Sequence, residues 1–253
     1  MIRCDAHMHT RFSEDSDASV HSMLDAAIER GMEAVCITDH LDKDFPQTPD
    51  FPAGAFLFDL GNYFQRLTQL KEEYQKKLEV RIGVEIGLQP HLGEYYRNLT
   101  EKYPFDFVIG SVHLIHGQDP YYRTFFEGRS DEEAYQEAFQ VTIENLKKVN
   151  SFDSLGHLDY VVRYGTHQAE EYSYKKYAEE IDEILKILIA QGKGLEMNMA
   201  GMKYGLVFPN PHPDVIRRYR ELGGEIVTIG ADAHRPEHVA FDFDKAGEIL
   251  ISC

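Results

Sequence analysis

Residues 105–113 have the sequence FDFVIGSVH, a short apolar run rich in Val and Ile that ends at a histidine. Six other runs of this kind are spread over the chain: MIRCDA (1–6), EAVCIT (33–38), EVRIGVEIG (79–87), FDSLGHL (152–158), GKGLEMN (192–198) and EIVTIGA (225–231). Such brevity and composition are typical of parallel strands buried on both faces. The sequence therefore predicts seven parallel strands.

The segments between these runs carry helix start and stop signals. A first helix is predicted from Ser19 to Arg30, with Gly31 as its stop. A second starts with the capping-box pattern SDEE at 130–133 and extends to about residue 149; a third follows Ser173; a fourth extends from Pro213 to the glycines at 223–224. Seven strand–helix units in succession predict a (β/α) barrel or a doubly wound sheet. Because no linker divides the chain, we expect residues 1–253 to form a single domain.

Composition limits the partners of this α/β protein. With 26 Lys and Arg against 43 Asp and Glu, the formal net charge is −17, which disfavours nucleic acid as a partner. The three cysteines are odd in number and widely spaced, which is not the pattern of a disulfide framework. They therefore favour a reducing compartment. The N-terminus lacks a secretory apolar region, and no run approaches a membrane span. We therefore expect a cytoplasmic protein with a small-molecule substrate and no membrane partner; the sequence leaves its oligomeric state undetermined.

The ends of the seven predicted strands share a chemical feature, because each carries residue types that bind metals. These residues are His7, His9, His40, Glu85, His113, His157, Glu196, Asn198, Asp232 and His234. A single histidine after a strand is more often a loop residue, but recurrence at all seven ends predicts a polynuclear metal site, since strand ends converge at one mouth of a barrel. Imidazoles and carboxylates without cysteine suit Zn, Mn or Fe and argue against a structural zinc site.

The motifs HMHT, TDH, GVEIG, GSVH, GHLD and GADAH together resemble the PHP (polymerase and histidinol phosphatase) family of metallophosphoesterases over residues 5–234. The segments GVEIG, YPFDFVIGSVH and EMNMAGMKYG are most similar to its histidinol-phosphate phosphatase branch. The resemblance implies a distorted (β/α)7 TIM-like barrel with three divalent metal ions at the carboxyl ends of its strands. It also implies hydrolysis of L-histidinol phosphate, a step of histidine biosynthesis.

The resemblance also implies a ligand for each metal. The first metal is expected on His7, His9, Glu85 and Asp232, and the second on Glu85, as a bridge, with His113 and His157. The third is expected on His40, His234 and one residue of the opening loop. Relatives often have a histidine there; counting from His9 indicates Asp15, with Asp17 as the alternative.

The expected mechanism is attack of a metal-bridging hydroxide on phosphorus, with Glu85, Asp232 and His234 as catalytic residues. Arg163 and Lys203 follow metal-bearing strand ends and are expected to bind phosphate, although either could be an ordinary surface charge. Asn198 and His116 are further candidates for substrate contact; Asn198 could instead hydrogen-bond a turn. Glu196, Asp5, Asp39 and Asp159 are expected to orient ligands, and Glu196 could instead pair with Lys203.

Three other functions remain open from the sequence. One is a PHP-family phosphoesterase for nucleotides, phosphoprotein or another phosphate monoester. A second is an amidohydrolase-like metal hydrolase, which would carry a carbamylated lysine or another carboxylate in place of Glu85. A third is a non-catalytic metal-binding module, which would lack several of the ligands.

Overall fold

The computed structural model describes residues 2–253, so Met1, the first residue of the first apolar run, lies outside the described residues. Each of the seven runs contains a strand, and a two-residue strand adds an eighth. The strands are β1 (Cys4–Asp5), β2 (Ala34–Ile37), β3 (His40–Leu41), β4 (Glu79–Gly87), β5 (Phe107–Ser111), β6 (Ser154–Leu155), β7 (Gly194–Asn198) and β8 (Val227–Gly230). Their pairs are all parallel.

The sheet is a nearly closed barrel of seven principal strands in the order β1-β2-β4-β5-β6-β7-β8. Its two ends meet just beyond β1 and β8, where His9 N–H donates to the Ala233 carbonyl at 2.8 Å and Asp232 N–H donates to the His7 carbonyl at 2.9 Å. The distorted (β/α)7 barrel is therefore confirmed, and the doubly wound sheet is excluded. Closure brings the first and last predicted ligand pairs side by side.

The short strand β3 was not predicted, because two residues are too few to produce a recognisable pattern. It pairs with the upper half of β4, while β2 pairs with the lower half, so that β3 continues the line of β2 after a break at residues 38–39. In this register His40 lies opposite Glu85. The break thus places two predicted metal ligands on neighbouring strands.

Helices pack around the barrel. They are α1 (Val20–Glu29), α2 (Leu60–Tyr74), α3 (Gly93–Lys102), α4 (Asp131–Leu146), α5 (Ala178–Ala190), α6 (Ala200–Lys203), α7 (Pro213–Glu221) and α8 (Phe243–Ser252). The predicted capping box of α4 is present, with Ser130 and Glu133 each accepting a bond from the other's backbone N–H. The His212 side chain caps α7 by accepting from the backbone N–H of Asp214. The third predicted helix begins later than expected, because a 3-10 turn at 174–177 precedes α5.

The core consists of two large apolar clusters that both include residues of β4. From Val80 onward, every residue of β4 except Arg81 is buried. One cluster joins β4–β7 to α3, α4 and α5, and the other joins β2 and β4 to α1, α2 and α8. Burial of whole apolar side chains supplies the main stabilisation of such a barrel. No helix within residues 2–253 is long and apolar enough to cross a membrane.

Candidate metal centre and active-site cavity

A cavity of about 580 Å³ opens at the carboxyl ends of the strands. Most of the residues predicted to bind metal or phosphate line it or lie directly beneath it. The predicted residues among the lining are Asp15, His40, His113, His157, Arg163, Lys203, Asp232 and His234. The remaining predicted ligands, His7, His9 and Glu85, are fully buried below them.

Glu85 lies at the centre of this cluster, and its two carboxylate oxygens face different imidazoles. Oε1 lies 3.0 Å from Nε2 of His157 and 3.3 Å from Nε2 of His113, and it accepts a 2.5 Å hydrogen bond from the Ser111 hydroxyl. Oε2 lies 3.3 Å from Nε2 of His7. This division is the arrangement that a carboxylate shared between two cations requires.

The second group of donor atoms surrounds Nε2 of His7 and Nε2 of His9, which lie 3.0 Å apart. Asp232 Oδ1 is 3.3 Å from the His9 nitrogen and 3.8 Å from the His7 nitrogen, and Glu85 Oε2 is 3.5 Å from the His9 nitrogen. The structure therefore brings together the four residues expected at the first metal, although β1 and β8 are separated by more than 200 residues of sequence.

The third group contains Asp15. Its Oδ2 lies 3.1 Å from Nε2 of His234 and 3.5 Å from Nε2 of His40. The His9 ring is stacked between these two imidazoles, 4.1 Å from each. Asp17 is exposed and does not line the cavity. Of the two alternatives in the opening loop, Asp15 is thus the one that faces the histidines.

Close backbone approach at Gly230 makes room for this cluster. A Cβ at Gly230 would overlap the His7 side chain and lie 2.6 Å from Oε1 of Glu196. The next turn is tight as well, since Asp232 has a φ of 50°, a left-handed conformation that few non-glycine residues adopt. Such conformations persist where the surrounding structure enforces them, and they are concentrated at functional sites.

Carboxylates outside the cluster fix the rings inside it. Glu196 Oε1 lies 2.6 Å from Nδ1 of His7, so Glu196 orients this imidazole and does not pair with Lys203. Asp42 Oδ2 lies 2.7 Å from Nδ1 of His113. A carboxylate behind an imidazole selects its tautomer and raises its basicity as a ligand.

The other predicted orienting carboxylates bind the backbone near the ligands. Asp39 accepts from Thr10 N–H at 2.6 Å and from the Ser13 hydroxyl at 2.8 Å. Asp5 accepts from the backbone N–H groups of Ala231 and Ala240. Burial raises the pKa of Asp5 and of Asp39 to about 6.

The charges of the cluster compensate one another. Burial acts to raise the pKa of Glu85, but His7, His40 and His113 outweigh it and hold that pKa well below its usual range. Burial acts to lower the pKa of His113, yet Asp42 and Glu85 raise it to about 10. The pKa of His7 is likewise raised, whereas burial lowers the pKa of His157. The Glu85 carboxylate is therefore ionised at neutral pH, the form that binds cations.

Several buried polar atoms in the cluster have no hydrogen-bond partner among the described residues. They are His40 Nδ1, Asp42 Oδ1, Glu85 Oε2, His157 Nδ1 and His234 Nε2. His40 Nδ1 and Glu85 Oε2 lie 2.8 Å apart, and His234 Nε2 lies 3.1 Å from Asp15 Oδ2, but neither contact has the geometry of a hydrogen bond. Buried polar atoms are almost always paired, so each such exception requires an explanation. Four sets of three donor atoms also lie within 4.8 Å of one another, as divalent cation sites require. The residues present fit divalent metal ions.

Arg163 is buried beside this cluster, and three side chains hold its guanidinium. It donates to Asn210 Oδ1 at 2.7 Å, Asn198 Oδ1 at 2.9 Å and Asp232 Oδ2 at 3.2 Å. Asn198 is fully buried and does not line the cavity. Both ends of its amide are bonded within the protein, to Arg163, Ala200, Glu196 and Asp232, and its expected contact with substrate stays a prediction.

Lys203 lines the cavity and is not an ordinary surface charge. Its ammonium donates to the carbonyls of Ala231 and Asp232 at 2.9 and 3.2 Å, and burial lowers its pKa. His116, in contrast, is largely exposed near Glu137 and does not line the cavity. The backbone at His116 and Gly117 is left-handed, with φ values of 49° and 79°, and the expected contact of His116 with substrate stays a prediction.

Sequence reasoning missed several residues of the cavity. Asp42 lies behind His113, and Asp119 and Tyr160 form part of the wall. Tyr164 and Tyr204 extend that wall. Asp42 could have been found from its position, because it directly follows β3 and lies two residues after His40, on the same face of the extended chain. The loop residues have no comparable sequence pattern.

Comparison with known proteins gives a consistent result. The model of the PHP domain matches residues 5–200. A Clostridium acetobutylicum protein named probable histidinol-phosphatase is 32% identical over 98% of this chain and 93% of its own length. The histidinol-phosphatase of Lactococcus lactis is 32% identical over 99% of this chain and 91% of its own length.

A solved structure is similar over the same extent. The crystal structure of histidinol phosphate phosphatase from Lactococcus lactis, complexed with Zn, L-histidinol and phosphate, superposes with a TM-score of 0.88. The two sequences are 29% identical, and the superposition covers 99% of this chain and 93% of the Lactococcus lactis chain. With its barrel, its clustered strand-end ligands and these matches, the chain belongs to the PHP domain family.

Proposed function

We propose that this protein is a metal-dependent phosphatase that hydrolyses L-histidinol phosphate to L-histidinol and inorganic phosphate, a reaction of histidine biosynthesis. The single observation that carries the proposal is the Glu85 carboxylate, whose two oxygens face separate imidazole groups at the floor of the cavity. The relative from Lactococcus lactis that was solved with Zn, L-histidinol and phosphate supports the substrate.

We propose three divalent cations, Zn, Mn or Fe, in this cluster. The first would be held by His7, His9, Glu85 and Asp232, and the second by Glu85, His113 and His157. The third would be held by Asp15, His40 and His234; the distances of the Asp15 carboxylate to both imidazoles favour it over Asp17. Such cations lower the pKa of bound water and neutralise phosphate charge.

The protein's own side chains would position the phosphate. Arg163 uses three of its five N–H donors within the protein, and Lys203 uses two of its three, so each keeps donors for an anion in the cavity. The charged groups of Arg163 and Lys203 both lie beside Asp232, at the edge of the proposed metal cluster. They would supply local positive charge in a protein whose overall charge of −17 repels anions.

Glu85, Asp232 and His234 would act in catalysis by holding the cations against the phosphate. Asp232 is also bonded to Arg163, so the same carboxylate would fix a cation and a phosphate donor relative to each other. Preorganised charge of this kind stabilises the additional negative charge that develops as the P–O bond breaks.

The remaining expectations are proposed with the function. The sheet extends without interruption from β1 to β8, which supports a single domain over residues 1–253. A small phosphorylated substrate, and not nucleic acid, suits the cavity and the net charge. The free thiols of Cys4, Cys36 and Cys253 support a cytoplasmic location.

The experiment is a phosphate-release assay on purified protein loaded with Zn or Mn. We expect kcat/KM for L-histidinol phosphate to exceed that for p-nitrophenyl phosphate and a nucleoside monophosphate by about 100-fold or more, in line with the selectivity of sites built on polar contacts. A chelator should abolish the activity, and added metal should restore it. Metal-loaded protein that is inactive on L-histidinol phosphate but active on the other esters would contradict the proposal.

A further inference from the structure

One wall of the cavity carries a carboxylate with no cationic partner. Asp119 Oδ1 accepts hydrogen bonds from the backbone N–H of Tyr121 at 2.9 Å and from the Tyr160 hydroxyl at 3.2 Å. Within residues 2–253 no ion pair joins Asp119 to a lysine, arginine or histidine. Asp119 lines the cavity. Burial raises the pKa of Asp119 to about 6 and outweighs the opposing effects of its two hydrogen bonds and of the charge on His113.

Four tyrosine rings lie on the same side of the cavity as this carboxylate. The Tyr160 ring lies 5.1 Å from the Tyr164 ring, and the Tyr121 ring lies 5.6 Å from Tyr164 and 5.1 Å from Tyr122. All four tyrosines line the cavity. A carboxylate among aromatic faces is the environment that binds an organic ammonium ion, through a charged hydrogen bond and cation–π attraction.

Tyr160 connects this wall to the metal cluster. Its ring lies 5.1 Å from the His157 ring and 5.7 Å from the His113 ring, while its hydroxyl donates to Asp119. Asp119 is therefore about one tyrosine side chain away from His113 and His157, at the edge of the proposed metal cluster. A ligand that bridges the two regions must carry a phosphate at one end and a cation a few bonds away.

L-Histidinol phosphate has this form, because three bonds separate its ammonium nitrogen from its ester oxygen. We propose that Asp119, held in place by Tyr160, binds the protonated amine of the substrate and makes the enzyme select phosphate esters of amino alcohols. This inference rests on the proposed function and assigns the amine a specific residue. The imidazole of the substrate, farther from the ester, would lie toward the outer aromatic wall.

The test compares two esters in Asp119→Asn, a variant of equal size that can still accept both hydrogen bonds through its amide oxygen. The esters are L-histidinol phosphate and its analogue without the amine, 3-(imidazol-4-yl)propyl phosphate. We expect kcat/KM for L-histidinol phosphate to fall about 10- to 150-fold, the usual value of a charged hydrogen bond, mainly through KM. The analogue should change by less than about threefold, which also shows that the variant is folded.

Glu127→Gln is the matched control, because it removes a carboxylate from the same loop at an exposed position outside the cavity. It should behave as the wild type with both esters. Equal losses on both esters in Asp119→Asn, or no loss on L-histidinol phosphate, would overturn the assignment.

A second measurement separates this inference from the proposed function. Inhibition of p-nitrophenyl phosphate hydrolysis by L-histidinol, and by the alcohol without the amine, is measured for wild type and Asp119→Asn. The inference predicts that only L-histidinol inhibits the variant more weakly, by about tenfold or more. Unchanged inhibition by L-histidinol would overturn it. This inhibition assay tests the role of Asp119 even if the protein does not hydrolyse L-histidinol phosphate. Failure to hydrolyse that ester would contradict the proposed function but not the role of Asp119.

Discussion

The Asp42 carboxylate lies 2.7 Å from Nδ1 of His113, while Nε2 of the same ring lies 3.3 Å from Glu85 Oε1. The ring is thus fixed between an outer and an inner carboxylate. Asp42 itself fits tightly, because a Cβ on Gly87 would lie 2.6 Å from its carboxyl carbon. An imidazole held in this way presents one defined nitrogen to a cation.

Replacing Asp42 with Asn should therefore weaken metal binding. The amide cannot hold the His113 N–H as strongly, and the loss of such partners costs about 10- to 100-fold in metal affinity. Titration against a competing chelator measures the change. Asp44→Asn, which alters an exposed carboxylate paired with Lys43, is the control and should bind metal as the wild type does. Equal affinities in all three proteins would contradict the role of Asp42.

Glu85→Gln should abolish the shared carboxylate. We expect metal content to fall from about three ions to about one, and kcat/KM for L-histidinol phosphate to fall about 10³-fold or more, because two sites lose their common ligand. Elemental analysis and phosphate release measure the two effects. Glu79→Gln, at the exposed start of the same strand, should change neither. A Glu85→Gln variant with full metal content would show that Glu85 is not a bridge.

Metal binding should release protons near neutral pH. The pKa of His113 is raised to about 10, and those of His7 and His40 are raised as well, so without cations these rings hold protons at pH 7. Cations bind neutral imidazole, and affinity should consequently rise with pH between 6 and 8. Calorimetry in two buffers of different ionisation enthalpy should detect about two or more protons released per protein. Binding enthalpies that are independent of buffer would contradict this expectation.

Gly230→Ala should damage both stability and metal binding. The added Cβ would overlap His7 and approach Glu196, and overpacking of this kind costs about 1–3 kcal/mol of the free energy of unfolding. Urea unfolding of the metal-free protein measures this change in the free energy of unfolding. Gly247→Ala on α8, where an added Cβ meets nothing within 4 Å, is the control and should stabilise the protein slightly. Equal stability of the two variants would show that the close approach at Gly230 is not required.

The sequence predicts the barrel and much of the cluster because both depend on local patterns. Apolar runs such as 79–87 identify the strands, and parallel strands bring residues at their carboxyl ends to one mouth. Glu85 and Asp232 could thus be predicted as neighbours, although they are 147 positions apart in the sequence. The ligand assignments beyond this convergence came from the family resemblance.

The rest depends on contacts that no local pattern encodes. Asp42 meets His113 only because β3 resumes the line of β2 after a break. His116 was expected in the cavity from its distance to His113 along the chain, but its side chain is exposed and does not line the cavity. Asn198 lies at a strand end as predicted, yet its amide is taken up by Arg163. Asp119 and Tyr160 come from separate loops, whose paths the sequence does not specify.

The central claim is that Glu85 joins two cation sites, with a third beside it, and that phosphate binds on this cluster. A crystal structure of the Zn-loaded protein with phosphate, recorded at the Zn absorption edge, tests it most directly. We expect three anomalous peaks, two sharing Glu85 and one bound by Asp15, His40 and His234, with phosphate in contact with Arg163 or Lys203. A single peak, or phosphate bound away from Glu85, would show that Glu85 does not join two cation sites that bind phosphate.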